Sequence, residues 1–484
     1  MDGYIYQSLF LSVLAVVLLQ LVKMALKPRP RLPPGSWKLP VIGSMHHLVN
    51  VLPHRALRDL ADVHGPLMML QLGQTPLVVA SSKETARAVL RTHDTNFATR
   101  PKLLAGEIVG YEWVDILFAP SGDYWRKLSQ LCAAEILSPK RVLSFRHIRE
   151  EEVMLRVEEI RSAGPATPVN LSVMFHSITN SVVSRAAFGK KRKNAAEFLA
   201  ATKAVVGLSI PFSTSVFSGF NVPDLFPTWT TVLAKLTGMT RSLKEIHKTV
   251  DTILEEIIEE RKCFGFQLTN SIIKAIILDM FAGGTGTSGS AMEWGMSELM
   301  RNPPVMKKMQ ALIREAFRGK TAVTEGDLQA SNLQYLKLVI KEALRLHPPA
   351  PLLVPRESIE ECELDGYTIP AKSRVIINAW AIGRDPKYWD DAGEFKPEWF
   401  EDGSQDFTGS SYEFLPFGSS RRMCPSFNYG LASMELVFVG LLYHFDWSLP
   451  EGVKDIDMGE APGLGVRRRT PLMLCASPFV PVPA

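Results

Sequence analysis

One cysteine near the end of the chain stands where its type and spacing could do chemistry. In FLPFGSSRRMCPSFNYGLASMEL, residues 414–436, Cys424 follows a loop of Gly, Ser and two Arg and precedes apolar residues at helical spacing, Phe427, Leu431 and Met434. Arg421 and Arg422 bring positive charge close, and the N–H groups that open the next helix point back at the sulfur; both favour thiolate over thiol. A thiolate so placed can ligate a metal. The plainer alternative is a buried thiol acting as a small hydrophobe.

Two other patterns add to it. Gly283, Gly284 and Gly286 interrupt a long apolar helical run, NSIIKAIILDMFAGGTGTSGSAMEWGMSELMRN, residues 270–302. Each glycine costs about 1 kcal/mol relative to alanine in a helix interior, so the helix needs open space, a kink or a close neighbour there. Thr287 and Ser288 can bond back to the helix carbonyls. Glu342 and Arg345, three apart in the apolar helix YLKLVIKEALRL, share one face. If buried, such a pair needs further partners.

The elements that must hold these residues are mostly helical. Between about 122 and 350 the 3.6-residue period dominates: DYWRKLSQLCAAEIL, LKEIHKTVDTILEEIIEERK, the glycine-broken run and LQYLKLVIKEALRLHP, stopped at Pro348. Residues 65–82 predict two strands around a Gly-Gln-Thr-Pro turn, followed by a helix opened by a Ser81–Glu84 capping box. Strand character returns over 362–380 with an Asp365-Gly366 turn. The expected fold class is mainly α with small β-sheets (α+β), one large domain behind an N-terminal membrane anchor.

That anchor is read over residues 1–26. Ile5 to Leu26 is almost continuously apolar and about long enough to span a bilayer. Lys23, Lys27, Arg29 and Arg31 cluster at its end, which places the body on the cytoplasmic side. Residues 27–43, KPRPRLPPGSWKLPVIG, predict a stiff proline-rich hinge, and residues 44–484 the catalytic domain. The net charge of +4 over 484 residues, with no basic stripe, argues against nucleic acid as a partner. Five widely spaced cysteines without a C-x-x-C exclude a disulfide framework and a structural zinc site.

Taken in order, the anchor, proline hinge, glycine-broken helix, E-x-x-R and late F-x-x-x-x-R-x-C loop resemble the cytochrome P-450 superfamily of haem-thiolate monooxygenases. RNPPVMKKMQ, ALRLHPPAPLLVPRES, DGYTIP, NAWAIGRDPKYW and FNYGLASMEL are similar to the plant A-type enzymes, most of all to diterpenoid hydroxylases of plant defence. The resemblance implies haem b, iron protoporphyrin IX, with Cys424 as its metal ligand. It places Arg422, Arg356, Trp125 and Arg126 at the propionates, Thr287 at proton delivery, and Glu342 with Arg345 in the structural core. Leu103, Ile108, Phe212, Gly283, Leu353, Val354 and Leu464 are the implied substrate-pocket positions. It implies further an endoplasmic-reticulum membrane protein, single-pass, using O2, electrons from an NADPH-cytochrome reductase and a hydrophobic substrate such as a terpenoid.

The chain also departs from the family pattern. Ser420 and Ser426 replace two loop glycines, Trp399 replaces an arginine of the Glu342–Arg345 cluster, Gly286 an acidic residue, and Ser129 a basic one. The 262–269 connection is short. If the loop glycines are left-handed, each serine costs about 1–2 kcal/mol; a buried ionic cluster that loses a partner costs about 3–5 kcal/mol. Restoring glycine at 420 and 426 and arginine at 399 should therefore raise haem incorporation. These departures motivate two alternatives: a defective or non-catalytic haem-binding relative, and a reductase-independent haem-thiolate isomerase or dehydratase.

Overall fold

The structure, a computed structural model, describes residues 30–188, 220–259, 268–461 and 465–479. The expected anchor, Phe212, Leu464 and most of the 262–269 connection lie outside the described residues. Among those described, no helix is long and apolar enough to cross a membrane.

Seven helices frame the interior: α1 Asp123–Glu135, α2 Arg146–Ala163, α3 Leu171–Phe188, α4 Met239–Glu259, α5 Asn270–Arg301, α6 Gln334–Leu346 and α7 Phe427–His444. Thr269 caps α5 by accepting the Ile272 N–H at 3.4 Å. The helix then runs unbroken through its glycines to Arg301, two residues before Pro303, and is mostly buried along its length, as a central helix must be. It packs on α3, α6 and α7. Met292, Met296 and Leu299 of α5, Val339 and Ile340 of α6, and Val437 and Phe438 of α7 form one buried core. Gly295 permits the closest approach: a Cβ there would lie 2.7 Å from the Phe438 ring.

The main sheet is built from β1 Leu67–Leu72, β2 Thr75–Ala80 and two late strands, Arg374–Ile377 and Arg356–Glu357, in that spatial order. The first pair is antiparallel, with Leu72 opposite Thr75, and the turn between them has Gly73 at φ 57°. β2 and Arg374–Ile377 pair in parallel, Leu77 opposite Arg374. Both strands of the hairpin are apolar and buried along nearly their whole length. The predicted Asp365-Gly366 turn joins Cys362–Leu364 to Tyr367–Ile369, with φ 54° and 75° at its two residues, as a two-residue hairpin requires.

Two local expectations change. The capping box is one residue later, between Ser82 and Thr85, because Ser81 belongs to the strand end and gives its N–H to Pro66 O. The described part of the proline-rich stretch is no free spacer. Arg31 O accepts from Thr368 N (2.8 Å), Pro34 O from Met69 N (2.8 Å), and Gly43 bridges Leu72, so it is fastened to the body.

Candidate functional site

The loop around Cys424 turns tightly, through Gly418 at φ 72° and Ser420 at φ 60°. Cys424 N–H closes it by donating to Phe417 O at 2.9 Å. Ser420 thus carries the expected left-handed strain. Ser426 does not: its φ of −105° is open to any residue, so the presumed cost at that position is absent.

Positive charge does not act on the sulfur as expected. Arg421 is paired with Asp94 at 2.9 Å. Arg422 directs its donors away, to the carbonyls of Ala98 (2.9 Å), Ile116 (3.2 Å) and Ala119 (2.5 Å). Burial therefore raises the Cys424 thiol above its ordinary pKa, partly countered by hydrogen bonds from Ser426. A coordinating metal deprotonates a thiol outright, so a ligand role does not need a lowered pKa.

Arg422 lies over the Trp125 ring, 3.9 Å from its centroid, and Trp125 donates its indole N–H to Ile116 O at 3.0 Å. Arg356 gathers with them, donating to Ser419 O (3.2 Å) and facing Asp94 at 3.5 Å. A third guanidinium belongs here that the sequence reading missed. Arg100, 5 % exposed, donates to Leu117 O (3.1 Å), Val354 O (2.7 Å) and Pro355 O (2.8 Å). Thr-Arg-Pro in an apolar context is its only sequence signal.

The three cations sense one another. Burial first and then Arg356 push Arg422 down to about 9; burial pushes Arg356 to about 10 against the pull of Asp94; Arg100 is lowered by burial and by both neighbours. Nearly all their donors end on neutral carbonyls. Asp94 and Asp115 offset these cations only in part, and uncompensated buried charge is unfavourable, so the cluster fits a ligand bearing two carboxylates, which is what haem propionates are. Arg126 stands apart, 63 % exposed at its side chain and paired with Asp123. Ser129, one turn beyond Trp125, is half-buried.

On α5, Gly283 and Thr287 are exposed one turn apart in an otherwise buried helix, and a Cβ at 283 or 286 would meet nothing within 4 Å. Of the readings of these glycines, open space is the one that holds at 283 and 286. Thr287 donates its hydroxyl to Gly283 O. Leu103, Ile108 and Val354 join Phe281 of α5 in one apolar cluster. Leu353 packs in a neighbouring cluster and would lie 3.7 Å from a Cβ at Gly418.

Behind this site, Glu342 and Arg345 are fully enclosed and paired twice, at 2.6 and 2.7 Å. The remaining Arg345 donors reach Gly383 O (2.6 Å), Ala392 O (2.8 Å) and Glu394 O (2.9 Å), so all five are used. Lys396 N–H donates to Glu342 at 2.7 Å. Trp389 lies over Arg345, and Trp399 meets Trp389 edge-on, their centroids 6.3 Å apart. The large cost expected from Trp399 is therefore not incurred; what remains is its buried indole N–H without a partner.

Residues 33–263 and 265–476 match the Cytochrome P450 family. The chain belongs to the cytochrome P450 family. The P450 is 48 % identical to premnaspirodiene oxygenase of Hyoscyamus muticus and 45 % to 5-epiaristolochene 1,3-dihydroxylase of Nicotiana tabacum, over 98 % of both chains in each case. It is 43 % identical to germacrene A hydroxylase of Barnadesia spinosa, over 98 % of this chain and 97 % of that one. A zebra fish cytochrome P450 solved with progesterone shares the fold, with a TM-score of 0.75 at 22 % identity over 89 % of this chain and all of that one. Family membership makes the protein a haem-dependent monooxygenase, an oxidoreductase with relatives in plant terpenoid oxidation.

Proposed function

We propose that this P450 hydroxylates a terpene hydrocarbon, with haem b held by Cys424 and steadied at its propionates by Arg100, Arg356 and Arg422. The carrying observation is the convergence of three guanidiniums beside the Cys424 loop, which Asp94 and Asp115 offset only in part. The names of the relatives favour a sesquiterpene over the diterpenoid suggested by the motifs.

When bound, the haem supplies the oxygen-insertion chemistry. The chain's residues orient the substrate and manage protons. Leu103 and Phe281 are fully buried and pack with Ile108 and Val354 into one apolar cluster, and apolar surroundings with few polar handles suit a hydrocarbon. Thr287 holds its proton toward Gly283 O and keeps lone pairs free to accept from water. Gly286 adds no carboxylate, and Thr287 is exposed, so solvent is the proton source within its reach.

A membrane setting with a reductase in the same membrane belongs to this reading. Trp37, Val41 and Ile42, and Trp229, Val232 and Leu236, are all exposed. Their segments meet at one turn: Gly73 N–H bonds Ile42 O (3.1 Å) and Gln74 bonds the Thr228 hydroxyl (2.7 Å). Lys235, Arg241, Lys244 and Lys248 line a cleft next to the second set together with Glu245, which pairs with Arg241. Apolar side chains rimmed by cations suit an anionic bilayer surface.

The test is the reduced carbon-monoxide difference spectrum of the full chain in microsomes, followed by NADPH- and reductase-dependent turnover of sesquiterpene hydrocarbons. We expect a thiolate-type Soret band, abolished in Cys424→Ala, and hydroxylated product. Bound haem with the same spectrum in Cys424→Ala sinks the ligand assignment. A normal band without turnover favours the non-catalytic relative, a reading that draws on Gly286 and the strain at Ser420.

A further inference from the structure

Ser426 is the N-cap of α7, yet its side chain caps nothing. An N-cap serine normally adopts an extended backbone and turns its oxygen to an N–H two or three residues on. Here φ is −105° and ψ 17°. The hydroxyl lies instead 3.5 Å from the Cys424 sulfur. Facing a thiolate, which can only accept, the hydroxyl is the donor, and among the described residues no other side chain bonds this sulfur.

Resting on the haem-thiolate reading, we infer that the Ser426 hydroxyl is a positioning residue that tunes the haem through Cys424: its hydrogen bond draws electron density from the sulfur, weakens donation to iron and raises the reduction potential. Hydrogen bonds to a ligating sulfur are one of the protein's levers on a metal's potential. A glycine at this position would lack this donor. The site therefore favours accepting the first electron, at the expense of the sulfur's push on the iron. The backbone angles make no demand for glycine, so the serine can hold this bond without strain at its own φ.

Holoprotein of the full chain, wild type and the variants S426A, S426G and S426T, distinguishes the outcomes. The readouts are the ferric–ferrous midpoint by spectroelectrochemistry and the iron–sulfur stretch by resonance Raman. We expect S426A and S426G to make the ferrous state about tenfold less favourable, a fall of about 59 mV for a one-electron couple, and to raise the stretching frequency. S426T, which keeps a hydroxyl, should stay with the wild type. Should S426A load haem poorly, S426G decides. An unmoved midpoint and stretch in the haem-loaded variants overturn this inference and leave the haem reading intact. Absence of a thiolate-type band in the wild type overturns both.

Discussion

Asp279, in the long helix α5, accepts the backbone N–H of Ile116 at 2.9 Å, and the adjacent Leu117 N–H at 3.2 Å. One carboxyl thereby ties the 111–118 loop, which carries Tyr111, Glu112 and Trp113 at positive φ, to the central helix. Asp115 closes the same loop by accepting Phe118 N–H. Burial lifts both carboxyls, Asp115 to about 6, and their mutual repulsion adds to the rise at Asp279.

The raised pKa fixes a sign. A carboxyl that holds its proton more tightly when folded contributes most below its unfolded value of 3.8, and the contribution is lost as pH rises to about 6. Asp115→Asn, whose carbonyl can still accept the loop N–H groups, should flatten the pH dependence of the unfolding temperature across that window. An unchanged slope between wild type and variant would refute the protonation argument.

Ser420 is exposed, and its left-handed φ is a conformation that glycine adopts freely. Ser420→Gly should stabilise the protein by about 1–2 kcal/mol, less what its bond to Asp94 at 2.9 Å contributes. Ser426→Gly should give no such gain. Denaturant unfolding of the two single variants checks the contrast; equal gains would mean that left-handed strain is not the cause.

Restoring an arginine at 399 should not help. The Glu342–Arg345 pair is already saturated by backbone groups, and a new cation would lose the Trp389 contact while gaining no free carboxylate. Trp399→Arg should destabilise by about 1–3 kcal/mol. Trp399→Phe keeps the ring and removes the unpartnered N–H, and should be neutral or stabilising by about 1 kcal/mol. Thermal unfolding and haem content of the two variants measure this; a gain in both for Trp399→Arg would show the pair to be incomplete.

Arg100→Gln separates charge from hydrogen bonding. The amide nitrogen, placed near the position of Nε, can still donate to Leu117 O, and the variant relieves repulsion with Arg356 and Arg422. The apoprotein should keep its stability to within about 1 kcal/mol, while haem loss accelerates at least about tenfold, the effect of 1.4 kcal/mol on an equilibrium. Transfer of haem to an excess acceptor protein gives the rate. Unaltered transfer would remove Arg100 from the cradle.

The family and the order of its motifs were legible in the sequence, because periodicity and short-range spacing carry them. The long helix, the hairpin over 65–82, the Asp365-Gly366 turn and the Glu342–Arg345 face are set by residues a few positions apart, and the chain alone determined them. What the loop serines and Trp399 cost was not legible. Ser420 and Ser426 look alike in sequence, but only one sits at positive φ; Trp399 looks like a lost partner until Lys396 N–H and three carbonyls are seen around the pair. Arg100 lies 255 residues before Pro355, whose carbonyl it bonds. Burial, backbone angle and long-range carbonyl geometry exist only once the chain has closed on itself, so the tertiary structure decided which departures carry strain and which cations face the site.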